Sequence, residues 1–204
     1  MLEHPYLAHY EMKENSMLVD LGATTGDFLG HVLNDLRRTN SHLLCIEPST
    51  WAIHHLSNFI DTHDFEHASL LSCYTGATNG FVSFASTNSC LLNHVESIEQ
   101  HFPHKQTKVN MVPILTLDTI IGMCGYNIDF IKCDIEGAEL DTFLNCEHIR
   151  RIKYLAIAAY HIVDGEPTWK KLIPFFEKND FSIKTFEIPG DSFSFMIYAN
   201  YEGI

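Results

Sequence analysis

Short apolar runs and stretches of helical spacing take turns along this chain. MLVDL at 17–21 has the length of a buried strand, and Gly26 to Arg38 follows with Phe28, Val32, Leu33 and Leu36 on one helical face. HLLCIE at 42–47 predicts a second strand, and STWAIHHLSNFI at 49–60 a helix with Ser49 or Thr50 as N-cap. HASLLSCY at 67–74 predicts a third strand, and NGFVSFAS at 79–86 the second arm of a hairpin entered through Asn79-Gly80. VPILTLDTII at 112–121 reads as a strand running into a short helix, IDFIKCDI at 128–135 as a strand, and AELDTFLNC at 138–146 as a helix. KYLAIAAYH at 153–161 is another strand pattern, and PTWKKLIPFFEKN at 167–179 a helix with Pro167 near its first turn. FSIKTFEI and SFSFMIYAN close the chain as two strands, expected to form an antiparallel hairpin at the sheet edge. Residues 87–110 are polar, hold His94, His101, His104 and Pro103, and show no period, so a long loop or lid is expected there, with one short helix around 93–101.

Strands alternating with helices predict an α/β fold: a mostly parallel central sheet with helices on both faces. The length, 204 residues, suits a single domain over 1–204, with residues 1–16 as a cover segment ahead of the first strand. Charge narrows the partners. Thirteen basic residues against 26 acidic ones give a net charge of −13, which argues against nucleic acid and against insertion into an anionic membrane surface. No apolar run approaches the ~18 residues of a spanning helix, and the first residues lack the basic-then-apolar order of a secretory signal, so a cytoplasmic protein is expected. The six cysteines form no CxxC pair and read as small buried residues in a reducing compartment.

Ligands of open α/β sheets bind outside the carboxyl ends of the strands. The first strand ends in VDLGATTGDF, with Asp20 at its tip and Gly22 and Gly26 bracketing the turn into the helix. Glycine there permits positive φ and close approach to a ligand. The second strand ends in Glu47-Pro48, 27 residues after Asp20, where a carboxylate can accept hydrogen bonds from both ribose hydroxyls. The G-x-G-x-x-G phosphate fingerprint is absent, which disfavours NAD. A nucleoside without a pyrophosphate, such as S-adenosylmethionine, fits better. FIKCDIEGAEL at 130–140 then makes sense: Asp134 and Glu136 sit at a strand tip that faces the ligand cleft, Gly137 lets the chain turn, and Glu139 lies in the first helical turn, where the dipole favours an anion.

VDLGATTGDF, IEPS, TLDTI and IDFIKCDIEGAEL occur in this order and spacing, and the chain thereby resembles the FkbM-type methyltransferases over residues 17–200. The resemblance implies a Rossmann-like class I methyltransferase fold and S-adenosylmethionine as cofactor. It implies that Asp20, Gly22, Ala23 and Gly26 hold the methionine end and backbone of the cofactor, that Glu47 binds the ribose, and that Cys73 and Tyr74 flank the adenine. Asp134 and Glu136 would face the cofactor amino group and the acceptor. Family members commonly carry Asn where this chain has Thr24, which can still donate and accept a hydrogen bond. AAYH at 158–161 resembles the motif of the next strand end.

Methyl transfer to a hydroxyl needs alignment and a proton acceptor near the methyl group. The candidates are Asp134, Glu136 and His161, the last because an ordinary imidazole is a usable base near neutrality, with Tyr160 to orient a partner. The acceptor is expected to be a small molecule, sugar or lipid. No metal is expected: His63 and His67, or His101 and His104, read as solvated surface histidines, and His94 as at most an acceptor contact. Two alternatives compete: a catalytically inactive cofactor-binding partner on the same fold, and an NAD- or nucleotide-sugar-linked Rossmann enzyme. The oligomeric state is left open.

Overall fold

The computed structural model describes residues 4–63, 65–86, 94–95, 108–191 and 194–203. Strands β1 (Met17–Leu21), β2 (His42–Ile46) and β3 (Ala68–Leu71) alternate with helices α1 (Asp27–Thr39) and α2 (Thr50–Thr62). There follow β4 (Tyr74–Thr75), β5 (Gly80–Ser86), β6 (His94–Val95), β7 (Lys108–Leu115) and α3 (Leu117–Met123). The second half holds β8 (Ile128–Cys133), α4 (Glu139–Phe143), β9 (Ile152–Ala158) and a small ribbon, β10 (Ile162–Val163) with β11 (Glu166–Pro167). Helix α5 (Trp169–Lys178) and strands β12 (Ser182–Phe186) and β13 (Met196–Asn200) complete it.

The main sheet runs β12-β13-β9-β8-β1-β2-β3. Its five strands from β9 to β3 are parallel, and the β12–β13 hairpin is antiparallel at one side. This is the α/β architecture expected. Successive residues of each strand feed opposite cores. Val19, Leu21, Ile131, Cys133 and Ile157 pack with Ile120, Phe143 and Phe176 of α3, α4 and α5. Leu18, Cys45, Phe130 and Ala156 pack with Phe28, Leu29 and Val32 of α1 and Leu56 of α2. Burial on both faces is why the strands read as continuous apolar runs rather than alternating ones. The order of connection reverses between β1 and β8, whose carboxyl ends therefore open a crevice.

Several elements differ from expectation. The segment 79–86 is not the partner of the third strand. β5 pairs antiparallel with β7, from Gly80 opposite Ile114 to Ser86 opposite Lys108, in a separate sheet ordered β4-β7-β5-β6. The reason lies in Asn79, whose side chain does not close a tight hairpin turn. Its Oδ1 accepts from the Thr116 N–H (2.8 Å) and its Nδ2 donates to Thr119 (3.0 Å), tying the turn to the start of α3. Within 87–110, His94–Val95 and Lys108–Asn110 are strand rather than loop or helix, and the rest of the expected lid lies outside the described residues. Pro167 belongs to β11 rather than to a helix, and α4 spans Glu139–Phe143 only.

Candidate functional site

At the end of β1 the chain turns through Gly22 at φ +79°. A Cβ there would lie 1.9 Å from the Asp134 carbonyl oxygen, so only glycine fits, and the β1 turn rests directly on the β8 tip. Thr24 (φ +46°) and Gly26 (φ +96°) are also left-handed, and Gly26 caps α1. A β-branched residue is costly in that region, so Thr24 holds a conformation that asparagine or glycine would take more readily. The turn is pinned to β2: Gly22 N and Ala23 N donate to the Ile46 carbonyl at 3.0 and 3.1 Å.

Glu47 is nearly buried, at 4% exposure. Its Oε2 accepts from Thr24 N at 3.0 Å and its Oε1 from Ser49 N at 2.8 Å, so one carboxylate ties the glycine turn to the start of α2. Burial raises its pKa, against the pull of those two N–H groups. Each oxygen keeps acceptor capacity beyond its one N–H, as a ribose diol requires. A turn only glycine can make, beside a rigidly held carboxylate, fits S-adenosylmethionine.

Asp20 is placed differently from expectation. It is fully buried, and its register partner across the sheet is Lys132, whose Nζ lies 2.9 Å from Asp20 Oδ1. Lys132 also donates to the Gly22 carbonyl at 2.7 Å. Burial raises the Asp20 pKa, and the Lys132 charge pulls it back. Burial would lower that of Lys132, and the Asp20 charge reverses this. The pair thus holds the turn from beneath. Sequence reasoning missed Lys132, although a lysine inside the apolar IDFIKC is itself a signal that a buried partner exists.

Above the β8 tip, Asp134, Glu136 and His161 come together. His161 Nε2 lies 3.7 Å from Asp134 Oδ1 and 3.5 Å from Glu136 Oε2, and its Nδ1 lies 2.8 Å from Glu139 Oε1. These contacts are ion pairs rather than aligned hydrogen bonds. Glu139 is fully buried and accepts from Ile135 N and Gly137 N, both at 3.3 Å. It is therefore both the capping charge expected at the start of α4 and the anchor of His161. Burial alone would lower the His161 pKa. Glu136 and Glu139, helped by Asp134, instead push it up to about 10. The imidazole is charged at neutral pH, contrary to the free base expected of it, and in turn holds the Glu136 carboxyl below its ordinary pKa. The N-terminal segment reaches the same place: Tyr6 donates to Asp134 Oδ2 at 2.8 Å, its ring lies 5.5 Å from Lys132 Nζ, and Tyr198 donates to the Pro5 carbonyl at 2.8 Å. Tyr6 carried no sequence signal, because a lone tyrosine ahead of the first strand has no pattern to read. Tyr160 packs its ring against His161.

The remaining candidates lie outside this cluster. Cys73 is buried in the core and burial raises its thiol pKa to about 12, whereas Tyr74 is half-buried in β4. His63 Nδ1 lies against the Phe59 carbonyl (2.8 Å) and His67 Nδ1 against the Ser41 carbonyl (3.0 Å), each on a different backbone oxygen. His101 and His104 lie outside the described residues, and His94 sits in β6. Asp118 of the TLDTI block serves structure: it accepts from Glu147 N and His148 N at 3.0 and 2.8 Å, joining α3 to the end of the α4 segment. A hollow bordered by Ser16, Asp129 and Lys153 opens at the amino ends of the strands, opposite the site.

The fold and the glycine turn are those of the Rossmann-like class I methyltransferase fold, whose cofactor is S-adenosylmethionine. The family model of the methyltransferase FkbM domain matches residues 20–183, and the chain belongs to that family. Among solved structures it is similar to an FkbM methyltransferase from Methylobacillus flagellatus KT, with 21% identity and a TM-score of 0.65 over 97% of this chain. The chain spans 48% of that protein. It is also similar to a precorrin-6y C5,15-methyltransferase from Geobacter metallireducens GS-15 (11% identity, TM-score 0.56, 96% of this chain and 85% of that one). A third is a candidate methyltransferase from Streptococcus mutans in complex with SAH (11% identity, TM-score 0.55, 98% and 99%). No curated protein matches the chain at a significant level. No helix among the described residues is long and apolar enough to cross a membrane.

Proposed function

We propose that this chain is an O-methyltransferase that methylates a hydroxyl on a small molecule, sugar or lipid. The convergence of Asp134, Glu136 and His161 above the β8 tip, on which the β1 turn rests, carries the reading. When bound, S-adenosylmethionine would supply a methyl carbon on a sulfonium, open to in-line displacement by an acceptor oxygen with the sulfur as leaving group. Glu47 would hold the ribose, Gly22, Ala23, Thr24 and Gly26 the amino-acid end, and Tyr74 an edge of the adenine. With His161 charged, the acceptor's proton passes to a carboxylate. Glu136, at 52% exposure, is the one with access to an incoming hydroxyl. Asp134, pinned by Tyr6, aligns the acceptor.

The reading takes 1–204 as one methyltransferase domain, with residues 1–16 as cover and the segment 87–110 and the terminal hairpin selecting the acceptor. A net charge of −13 supports a neutral or cationic acceptor over nucleic acid. The free thiols of Cys45, Cys73, Cys124, Cys133 and Cys146 support a cytoplasmic setting.

Calorimetric titration with S-adenosylmethionine and SAH tests the cofactor half. Wild type should bind in the micromolar range, and Glu47→Ala at least tenfold more weakly. A screen of hydroxylated acceptors for methyl transfer tests the rest. Binding without transfer to any acceptor would favour a cofactor-binding partner, and absence of binding would remove the methyltransferase reading.

A further inference from the structure

Asp134, Glu136 and His161 each offer one ligand atom, and these atoms lie within 4.8 Å of one another. The geometry points to a binding site for a divalent cation formed by Asp134, Glu136 and His161, completed by water or by the acceptor's hydroxyl, with the cation taking the place of the Nε2 proton, which leaves to solvent. Its chemical role rests on the methyl-transfer reading above.

Four observations carry it. First, the donors are of mixed type, one imidazole nitrogen and two carboxylate oxygens, the set that hard and borderline divalent cations take. Second, the spacings from Nε2, 3.5 Å to Glu136 Oε2 and 3.7 Å to Asp134 Oδ1, come close to the separation of adjacent ligands around one cation. Ligands about 2.1 Å from such an ion lie about 3 Å apart, so both carboxylates close toward Nε2 when the ion binds. Third, each inner donor is held through its other atom: Asp134 Oδ2 by the Tyr6 hydroxyl, His161 Nδ1 by Glu139. A fully buried carboxylate on the far nitrogen of a histidine is the arrangement that orients a metal-ligating imidazole. Fourth, His161 is nine-tenths buried and turns Nε2 toward the carboxylates, and neither Nε2 nor Asp134 Oδ1 has an aligned hydrogen bond among the described residues. The exposed side of Glu136 leaves coordination positions for water and acceptor. A cation there would hold the acceptor oxygen and ease loss of its proton, which the carboxylate base alone does weakly.

The test uses Mn2+ as probe, with free ion followed by electron paramagnetic resonance during titration of the metal-stripped full chain. Each variant is titrated with SAH alongside. Wild type should bind one equivalent of Mn2+ saturably. Glu136→Gln and His161→Gln should weaken Mn2+ at least tenfold, while the surface variant Asp35→Asn should bind as wild type does. Glu136→Gln alters a half-exposed side chain and keeps the test decisive if His161→Gln does not fold. No saturable Mn2+ binding, or binding unchanged in Glu136→Gln, overturns the inference. SAH binding without Mn2+ binding sinks the cation site and leaves the methyltransferase reading intact, and Mn2+ binding without SAH binding does the reverse.

Discussion

Lys132 and Asp20 form a pair with almost no contact with water, 8% and 0% exposed at the side chain. Such a pair adds little net stability, because desolvation offsets most of the attraction. Breaking one half is different, since it strands a buried charge. Lys132→Ala should therefore destabilise the chain by about 3–5 kcal/mol in a chemical denaturation experiment. It would also free the Gly22 carbonyl, so SAH affinity should fall in whatever protein remains folded. A loss under about 1 kcal/mol would mean that Asp20 takes up a proton or meets water instead.

Among the elements, α3 and the segment after α4 depend on a single carboxylate. Asp118 accepts from two backbone N–H groups, from the Cys146 thiol at 3.3 Å and, through an ion pair at 2.9 Å, meets His148 Nδ1. Burial works against its charge, but the N–H groups win and hold its pKa below the ordinary value. The folded pKa is depressed. The stabilisation is therefore present above the unfolded pKa of about 4 and is lost as pH falls through the folded value. Asp118→Ala should cost about 1–2 kcal/mol near neutrality, as loss of a helix cap does, with the gap from wild type closing at low pH. Denaturation at pH 7 and at acid pH checks both the size and the trend. TLDTI thus marks a staple in the fold.

For the molecule as a whole, pH dependence at the alkaline side should come from His161. Its folded pKa, about 10, lies above the unfolded value near 6.5. The stabilisation is complete below the unfolded value and is lost as pH rises through the folded one. Thermal melts in metal-free buffer should show wild type ahead of His161→Gln at pH 6.5 and the lead shrinking by pH 10. A lead that stays constant over that range would mean that the three carboxylates do not hold the proton.

Much of this was legible in the chain. Apolar runs of strand length separated by helical spacing dictate a parallel sheet covered on both faces, since only burial on both faces makes such runs stable. Gly22, Glu47 and the carboxylates of DIEGAE mark strand tips, where the topology must open. Pairing between distant segments was not legible. That β5 leaves the third strand for β7 depends on where the Asn79 amide finds partners in α3, 37 and 40 residues further on. That Lys132 faces Asp20 depends on register between β1 and β8. Tyr6 reaches Asp134 across 128 residues, and His161 meets three carboxylates only because the β9 end and the α4 start fold to one point. Local pattern is set by neighbours a few bonds away and is written in the chain. The charge state of His161, the anchoring of Asp134 and the convergence of three ligand atoms are set by distances through space, which the tertiary structure alone decides.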